Sequence, residues 1–258
     1  MPDRRSRPWL GTGWKMTKTR AQAIEYAKIV AGEAPGFADE INTFVLPAYP
    51  LIEPVARILS PAGVQVGAQN VHWADEGAFT GEVSAPMLTE IGATLVSIGH
   101  AERRAMFGET NETVRERAVG ALRSGLTPLI CVGEPAEQRD AGTAVAFVRR
   151  QIEIAVTGLG SEDLASIMIA YEPVWAIGEG SQAASPPQAS EMHDAIRLML
   201  MDIDPVSGAG IPILYGGSVD EQSASKLLSQ AEIDGLFVGR AAWSADGFLR
   251  LARIAAGE

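Results

Sequence analysis

Short aliphatic and β-branched runs alternate with helical periodicity along the chain. Eight runs read as strands: 9–14, 43–46, 64–68, 94–98, 127–131, 167–171, 211–215 and 235–238. Most are almost continuously apolar, as strands of a parallel sheet covered on both faces are. Amphipathic stretches lie between them, among them 19–31, 111–124, 136–156 and 189–201. Eight strand–helix repeats in 258 residues, about 32 residues each, predict an α/β fold closed into a (β/α)8 barrel. A doubly wound open sheet is the rival. Its GxGxxG turn after the first strand is missing, because Gly11-Thr12-Gly13 runs into Trp14-Lys15. No Pro/Gly/Ser linker or block of like charge interrupts the alternation, so residues 1–258 are expected to form a single domain.

Composition narrows the function. Apolar residues make up 47% and charged residues 21%, the balance of a globular chain. No apolar run approaches the roughly 20 residues that span a bilayer, so no membrane partner is expected. The basic opening MPDRRSR is followed by Gly, Thr and Lys where a secretion signal needs an apolar stretch. One cysteine, Cys131, cannot pair within the chain, which fits a cytoplasmic location. The charge of -11 repels polyanions, so nucleic acid is not expected as a partner. A small anionic substrate requires a local cluster of donors.

In a barrel of this kind chemistry gathers where strands end. Lys15 follows the first strand and Gly99-His100-Ala101-Glu102-Arg103-Arg104 the fourth. Glu172-Pro173-Val174-Trp175 follows the sixth, Gly216-Gly217-Ser218 the seventh and Gly239-Arg240 the eighth. An isolated Lys15 would be a solvated lysine at the barrel edge. Beside these neighbours it reads as a cation that stabilises negative charge developing on oxygen. A lone histidine is more often structural than catalytic, and His72 and His193 are read that way. His100, at a strand end, is placed to polarise a carbonyl. Glu172 directly follows an apolar strand, so its carboxylate must be paired, structurally or for proton transfer. The apolar Pro173, Val174, Trp175, Ala176 and Ile177, with glycines beyond, read as a lid that closes over a ligand. The glycine turns after the seventh and eighth strands offer unobstructed N–H groups for phosphate. No set of residues has metal-ligand spacing, so no metal is expected.

These motifs together resemble the triosephosphate isomerase family over the whole chain. They are WKM at 14–16, AQN at 68–70, GAFTGE at 77–82, GHAERR around His100, CVGE at 131–134, AYEPVWAIG around Glu172, YGGSV at 215–219 and DGLFVG at 234–239. The resemblance implies a TIM barrel with Glu172 as base, His100 as electrophile and Lys15 as electrostatic anchor. Glu102 matches the carboxylate of the family's fourth loop. Gly178, Ser218 and Gly239 match phosphate-binding positions. It also implies no cofactor and a cytosolic homodimer, in which the GAFTGE loop reaches into the neighbouring subunit and places Thr80 at the interface.

The departures from the family pattern point to a branch. Gly13 stands where the family usually has Asn, and Ala101 replaces a hydroxyl. The lid continues Ile177-Gly178-Glu179-Gly180-Ser181, and the last turn reads Gly239-Arg240-Ala241-Ala242-Trp243 instead of a glycine pair. With GxxWKMxKT and QNxHWADxGA, these features resemble the branch that isomerises four-carbon erythrulose phosphates. The expected substrate is therefore a phosphorylated three- or four-carbon ketose, with L-erythrulose 1-phosphate to D-erythrulose 4-phosphate the preferred reading. Triosephosphate isomerisation is the alternative, and a non-catalytic phosphosugar-binding barrel is a remote third. Gly13 is expected to leave room for the fourth carbon. Arg240 reads equally as a phosphate donor or as a salt-bridge partner of a rim carboxylate.

Overall fold

The computed structural model describes residues 7–177 and 183–257. Eight parallel strands close a barrel in chain order. They are β1 (Trp9–Gly13), β2 (Asn42–Leu46), β3 (Gln65–Ala68), β4 (Leu95–Ile98), β5 (Thr127–Val132), β6 (Met168–Tyr171), β7 (Ile213–Tyr215) and β8 (Gly235–Val238). Each lies within two residues of the run that predicted it. β7 starts late because Pro212 has no N–H to donate, although its carbonyl still accepts from Ile169 N–H at 2.9 Å. Closure pairs β1 with both β2 and β8, with Thr12 opposite Val45 on one side and Val238 on the other.

Two apolar layers hold the barrel. Inside it, Phe44, Leu46, Leu95, Leu129, Cys131, Met168, Ala170, Leu214 and Phe237 form one buried cluster. Outside, the other faces of the strands pack against the helices in a second and larger cluster. This two-sided burial is what the near-continuous apolar runs demanded.

Local sequence sets where the helices begin. Thr19 caps Arg20–Glu33 with Gln22, Ser185 caps Pro186–Ile203 with Gln188, and Asp220 caps Glu221–Leu228 with Ser223. Each cap satisfies N–H groups that the first turn leaves open. Pro186 at the first helical position extends its helix back from the expected 189. The stretch 136–156 is not one helix, as its periodicity suggested. It divides into Ala136–Asp140 and Ala144–Val156, with Gly142 at φ +70° between them. No helix among the described residues is long and apolar enough to cross a membrane.

Candidate active site

Strand β6 carries Glu172 to the rim of the barrel. Its N–H donates to Val132 O at 2.7 Å, so the residue is held in line with the end of β5. Gly133 permits this approach, because a Cβ there would stand 1.8 Å from Glu172 O. The Glu172 residue is 2% exposed. Its carboxylate meets the loop after β4 through two contacts. Oε2 accepts the Ala101 N–H at 2.8 Å, and Oε1 lies 3.2 Å from His100 Nε2.

His100 caps the helix Ala101–Phe107, and its Nδ1 accepts the Glu102 N–H at 3.2 Å. An accepting nitrogen carries no hydrogen, so the N–H of the neutral ring sits on Nε2 and faces Glu172. Glu102 in turn meets Lys15, with Nζ 2.5 Å from Oε1. Lys15 is the non-glycine residue at positive φ among the described residues, at +51°. Such a conformation costs roughly 1 kcal/mol or more and persists when its surroundings impose it. Gln69 supplies part of that support, donating its amide to Lys15 O and to Leu46 O, each at 2.9 Å. Lys15, Glu102, His100 and Glu172 thus form one continuous chain of contacts across the mouth.

Arg104 braces this arrangement from below. It donates to Gly99 O (2.8 Å), Asn111 Oδ1 (2.7 Å) and Cys131 O (3.2 Å). Burial lowers its pKa from the usual arginine value, opposed by the neighbouring Cys131 and Glu172. Cys131 is itself pushed well up, first by burial and then by Glu172, so it remains a thiol.

The segment 173–177, expected from the sequence to be a lid, is anchored where it leaves β6. Val174–Ala176 form a 3₁₀ turn with Ala176 fully buried, while Val174 is exposed and Ile177 half-buried. Trp175 Nε1 donates to Glu134 Oε1 at 2.8 Å, and Tyr171 Oη donates to the same oxygen at 3.0 Å. Arg139 reaches that oxygen at 3.4 Å and stacks over the Trp175 ring at 4.6 Å. Burial, then the charge of Glu134, raises the Tyr171 phenol, which keeps it a donor. Ser218 Oγ donates to Ala176 O at 2.9 Å, so the turn after β7 rests on the root of the lid. Gly178 lies outside the described residues.

On the opposite side of the mouth, Thr12 of β1 pairs with Val238 of β8, and Gly13 and Gly239 follow them. A Cβ built on Gly239 would meet nothing within 4 Å, so this turn opens onto free space. Arg240 is exposed at the start of the turn Arg240–Ala242. Gly13 faces the barrel interior, where a Cβ would lie 3.3 Å from Phe237 Cζ. Phe237 stacks on Phe44 at 5.9 Å, and Phe44 fills the space beside Gly11, where a Cβ would stand 1.9 Å from its ring. The space opened by glycine at 13 is therefore bounded by an aromatic ring.

Thr80 lies elsewhere, in a loop exposed continuously from 75 to 82, with Phe79 also exposed. His72 closes that loop by stacking on Trp73 at 4.1 Å, meeting the tilted Phe79 ring at 4.1 Å and accepting the Ala74 N–H. His193 is fully buried and hydrogen-bonds Glu232 O at 3.0 Å. Both histidines sit in structural settings, as their sequence positions implied. Sequence reasoning passed over Gln69, Arg104 and Glu134 as site-supporting residues. Each lay inside a motif, and a carboxylate closing the apolar run of β5 was a signal equal to that of Glu172 after β6.

The sequence model of the triosephosphate isomerase family matches residues 8–255. The L-erythrulose-1-phosphate isomerase of Mesorhizobium japonicum is 47% identical over 246 residues, covering 93% of this chain and 94% of that protein. The enzyme of the same name from Rhizobium etli is 46% identical over 250 residues, covering 96% and 92%. The crystal structure of triosephosphate isomerase from Bartonella henselae superposes with a TM-score of 0.86 at 34% identity, covering 96% of this chain and 98% of that one. The chain belongs to the triosephosphate isomerase family and is an isomerase.

Proposed function

We propose that this isomerase interconverts L-erythrulose 1-phosphate and D-erythrulose 4-phosphate. The observation that carries the reading is the pairing of a buried Glu172 carboxylate with the Nε2–H edge of a neutral His100 at 3.2 Å. A base beside a hydrogen-bond donor is what an enediolate mechanism needs. Glu172 takes the proton from carbon 3 of the 1-phosphate, and the electron pair moves toward the carbonyl oxygen on carbon 2. His100 Nε2–H and the Lys15 ammonium stabilise the charge on the enediolate oxygens. The proton is returned to carbon 2 while a hydroxyl proton passes from the oxygen on carbon 3 to that on carbon 2. The product is an isomer, so no electron donor or acceptor is consumed.

Ser218, Gly239 and Gly178 are assigned to the phosphate, with Arg240 at the rim of the same turn. The apolar segment Pro173 to Ile177 is the fixed root of a lid beside Ser218, and the lid that extends from it excludes water from the enediolate. The names of the two relatives support the four-carbon substrate over the triose. A homodimer in the cytoplasm, with Thr80 and Phe79 on the interface, accounts for the long exposed loop 75–82. A side-by-side assay tests the substrate. Wild-type kcat/KM should be higher on L-erythrulose 1-phosphate than on dihydroxyacetone phosphate, and the reverse order would make the protein a triosephosphate isomerase in function as well as family.

A further inference from the structure

The loops after β1 and β8 are stitched together by residues outside the proposed catalytic set. Trp243 Nε1–H donates to Gly13 O at 3.0 Å. Lys18 Nζ donates to Trp243 O while lying over the rings of Trp14 and Tyr26, at 5.1 and 5.0 Å from their centroids. Tyr26 Oη donates to Ala242 O at 3.1 Å, and its ring meets Trp14 edge-on at 4.7 Å. The turn from Arg240 to Trp243 is thus tied to the segment that starts at Gly13, two residues before Lys15.

Gly13 has no side chain to fix its backbone, and glycine is the residue most free to move. Its N-terminal side is held by the β1 ladder and its carbonyl by the Trp243 indole. Lys15, at φ +51°, is restrained further along by Gln69. The far side of the Gly13–Trp14 peptide is held by β2, through Trp14 N–H to Leu46 O at 3.1 Å, so the indole hydrogen bond is the tie that sets this peptide against the turn at Gly239, with Lys18 as a second tie.

We propose that Trp243 is a positioning residue, setting the span between the Lys15 loop and the phosphate turn so that one bound ketose phosphate meets both. This rests on the roles given above to Lys15 and Gly239, and it adds a residue that touches neither substrate nor reacting atoms. A ligand that occupies the phosphate turn alone does not depend on this span. A ligand that reaches the lysine does.

Trp243→Phe keeps the ring and removes the N–H. The measurements are kcat and KM on whichever ketose phosphate the wild type turns over faster, competitive inhibition by inorganic phosphate, and the thermal midpoint. We expect kcat/KM to fall about 3–10-fold, the worth of one neutral hydrogen bond, with most of the loss in kcat. Inhibition by inorganic phosphate should change less than about twofold, since that anion needs only the turn. Lys18→Met removes the second tie and should give the same pattern, with the double variant losing less than the product of the two. If Trp243→Phe does not fold, Lys18→Met carries the same readouts. Unchanged kcat and KM with a lowered midpoint would overturn the proposal, leaving Trp243 a packing residue. So would phosphate inhibition that weakens in step with kcat/KM. A wild-type preference for the triose overturns the substrate reading and leaves this test intact on that substrate.

Discussion

Glu134 and Glu172 follow the ends of neighbouring strands, and both are almost completely buried, at 0% and 2% exposure. Their partners differ. Three groups converge on Glu134 Oε1: the Tyr171 hydroxyl, the Trp175 indole and the Arg139 guanidinium. All three are side chains packed about the turn Val174–Ala176, and Glu134 Oε2 is sealed away from solvent. Glu172 meets one backbone amide and the edge of one imidazole, both from the loop after β4. One carboxylate serves as a hub for fixed donors; the other faces a group that can itself donate to a reacting oxygen. Burial alone does not separate structure from chemistry. The identity of the donors does.

The largest expected effect breaks this comparison at its reactive end. Glu172→Gln should lower kcat by roughly 10²–10⁴-fold, with KM within about threefold of wild type. Glu134→Gln should instead leave kcat within about tenfold. It places an amide opposite the Tyr171, Trp175 and Arg139 donors, so stability should fall by about 1–3 kcal/mol. Thermal melts and steady-state rates on both variants separate the two patterns. Equal losses of kcat would erase the distinction drawn between them.

The second prediction concerns the mouth opposite Glu172. Gly13→Asn should lower activity on erythrulose 1-phosphate more than on dihydroxyacetone phosphate, by at most roughly 10–200-fold in relative specificity. The contact with Phe237 sharpens this expectation, since a Cβ at 13 would lie 3.3 Å from the ring. Asn alone should therefore also depress the thermal midpoint. Gly13→Asn with Phe237→Leu should recover the midpoint and keep the shift toward the triose. A double variant that slows both substrates equally would deny position 13 any part in choosing between them.

A further effect, on stability alone, lies in acid solution. Burial draws the His193 pKa down from 6.5 to about 4, opposed by its hydrogen bond to Glu232 O. The unfolded chain takes up this proton near pH 6.5 and the folded one not until about pH 4, so stability is full above 6.5 and falls as the pH drops through that window. The loss amounts to about 3 kcal/mol by pH 4. His193→Gln should flatten the pH dependence of the thermal midpoint between 6.5 and 4. An equal fall in both proteins would assign the acid sensitivity to other groups.

Much of this was legible in the sequence, for identifiable reasons. Strands buried on two faces leave continuous apolar runs, and the residue after each run is placed at the mouth by the fold itself. That is why His100, Glu172 and Lys15 stood out before any geometry was known. Gly142 escaped notice because an apolar periodicity continues across a break that a single left-handed residue creates. Trp243 and Phe237 stood in quoted motifs, but their roles were not readable, for a different reason. Their meaning depends on β8 lying beside β1, a pairing between the two ends of the barrel strand order that no local pattern contains. Glu134 was readable by the same rule as Glu172, but its partners Tyr171 and Trp175 come from the next strand and its loop.

Exchange of the substrate's carbon-bound hydrogen with solvent deuterium tests the central claim most directly. Wild-type protein incubated with L-erythrulose 1-phosphate in deuterium oxide should incorporate deuterium at the carbons that share the enediolate, as followed by proton NMR. Folded Glu134→Gln should retain this exchange, and folded Glu172→Gln should lose it. Exchange that persists at the wild-type rate in Glu172→Gln would contradict the assignment of Glu172 as the base.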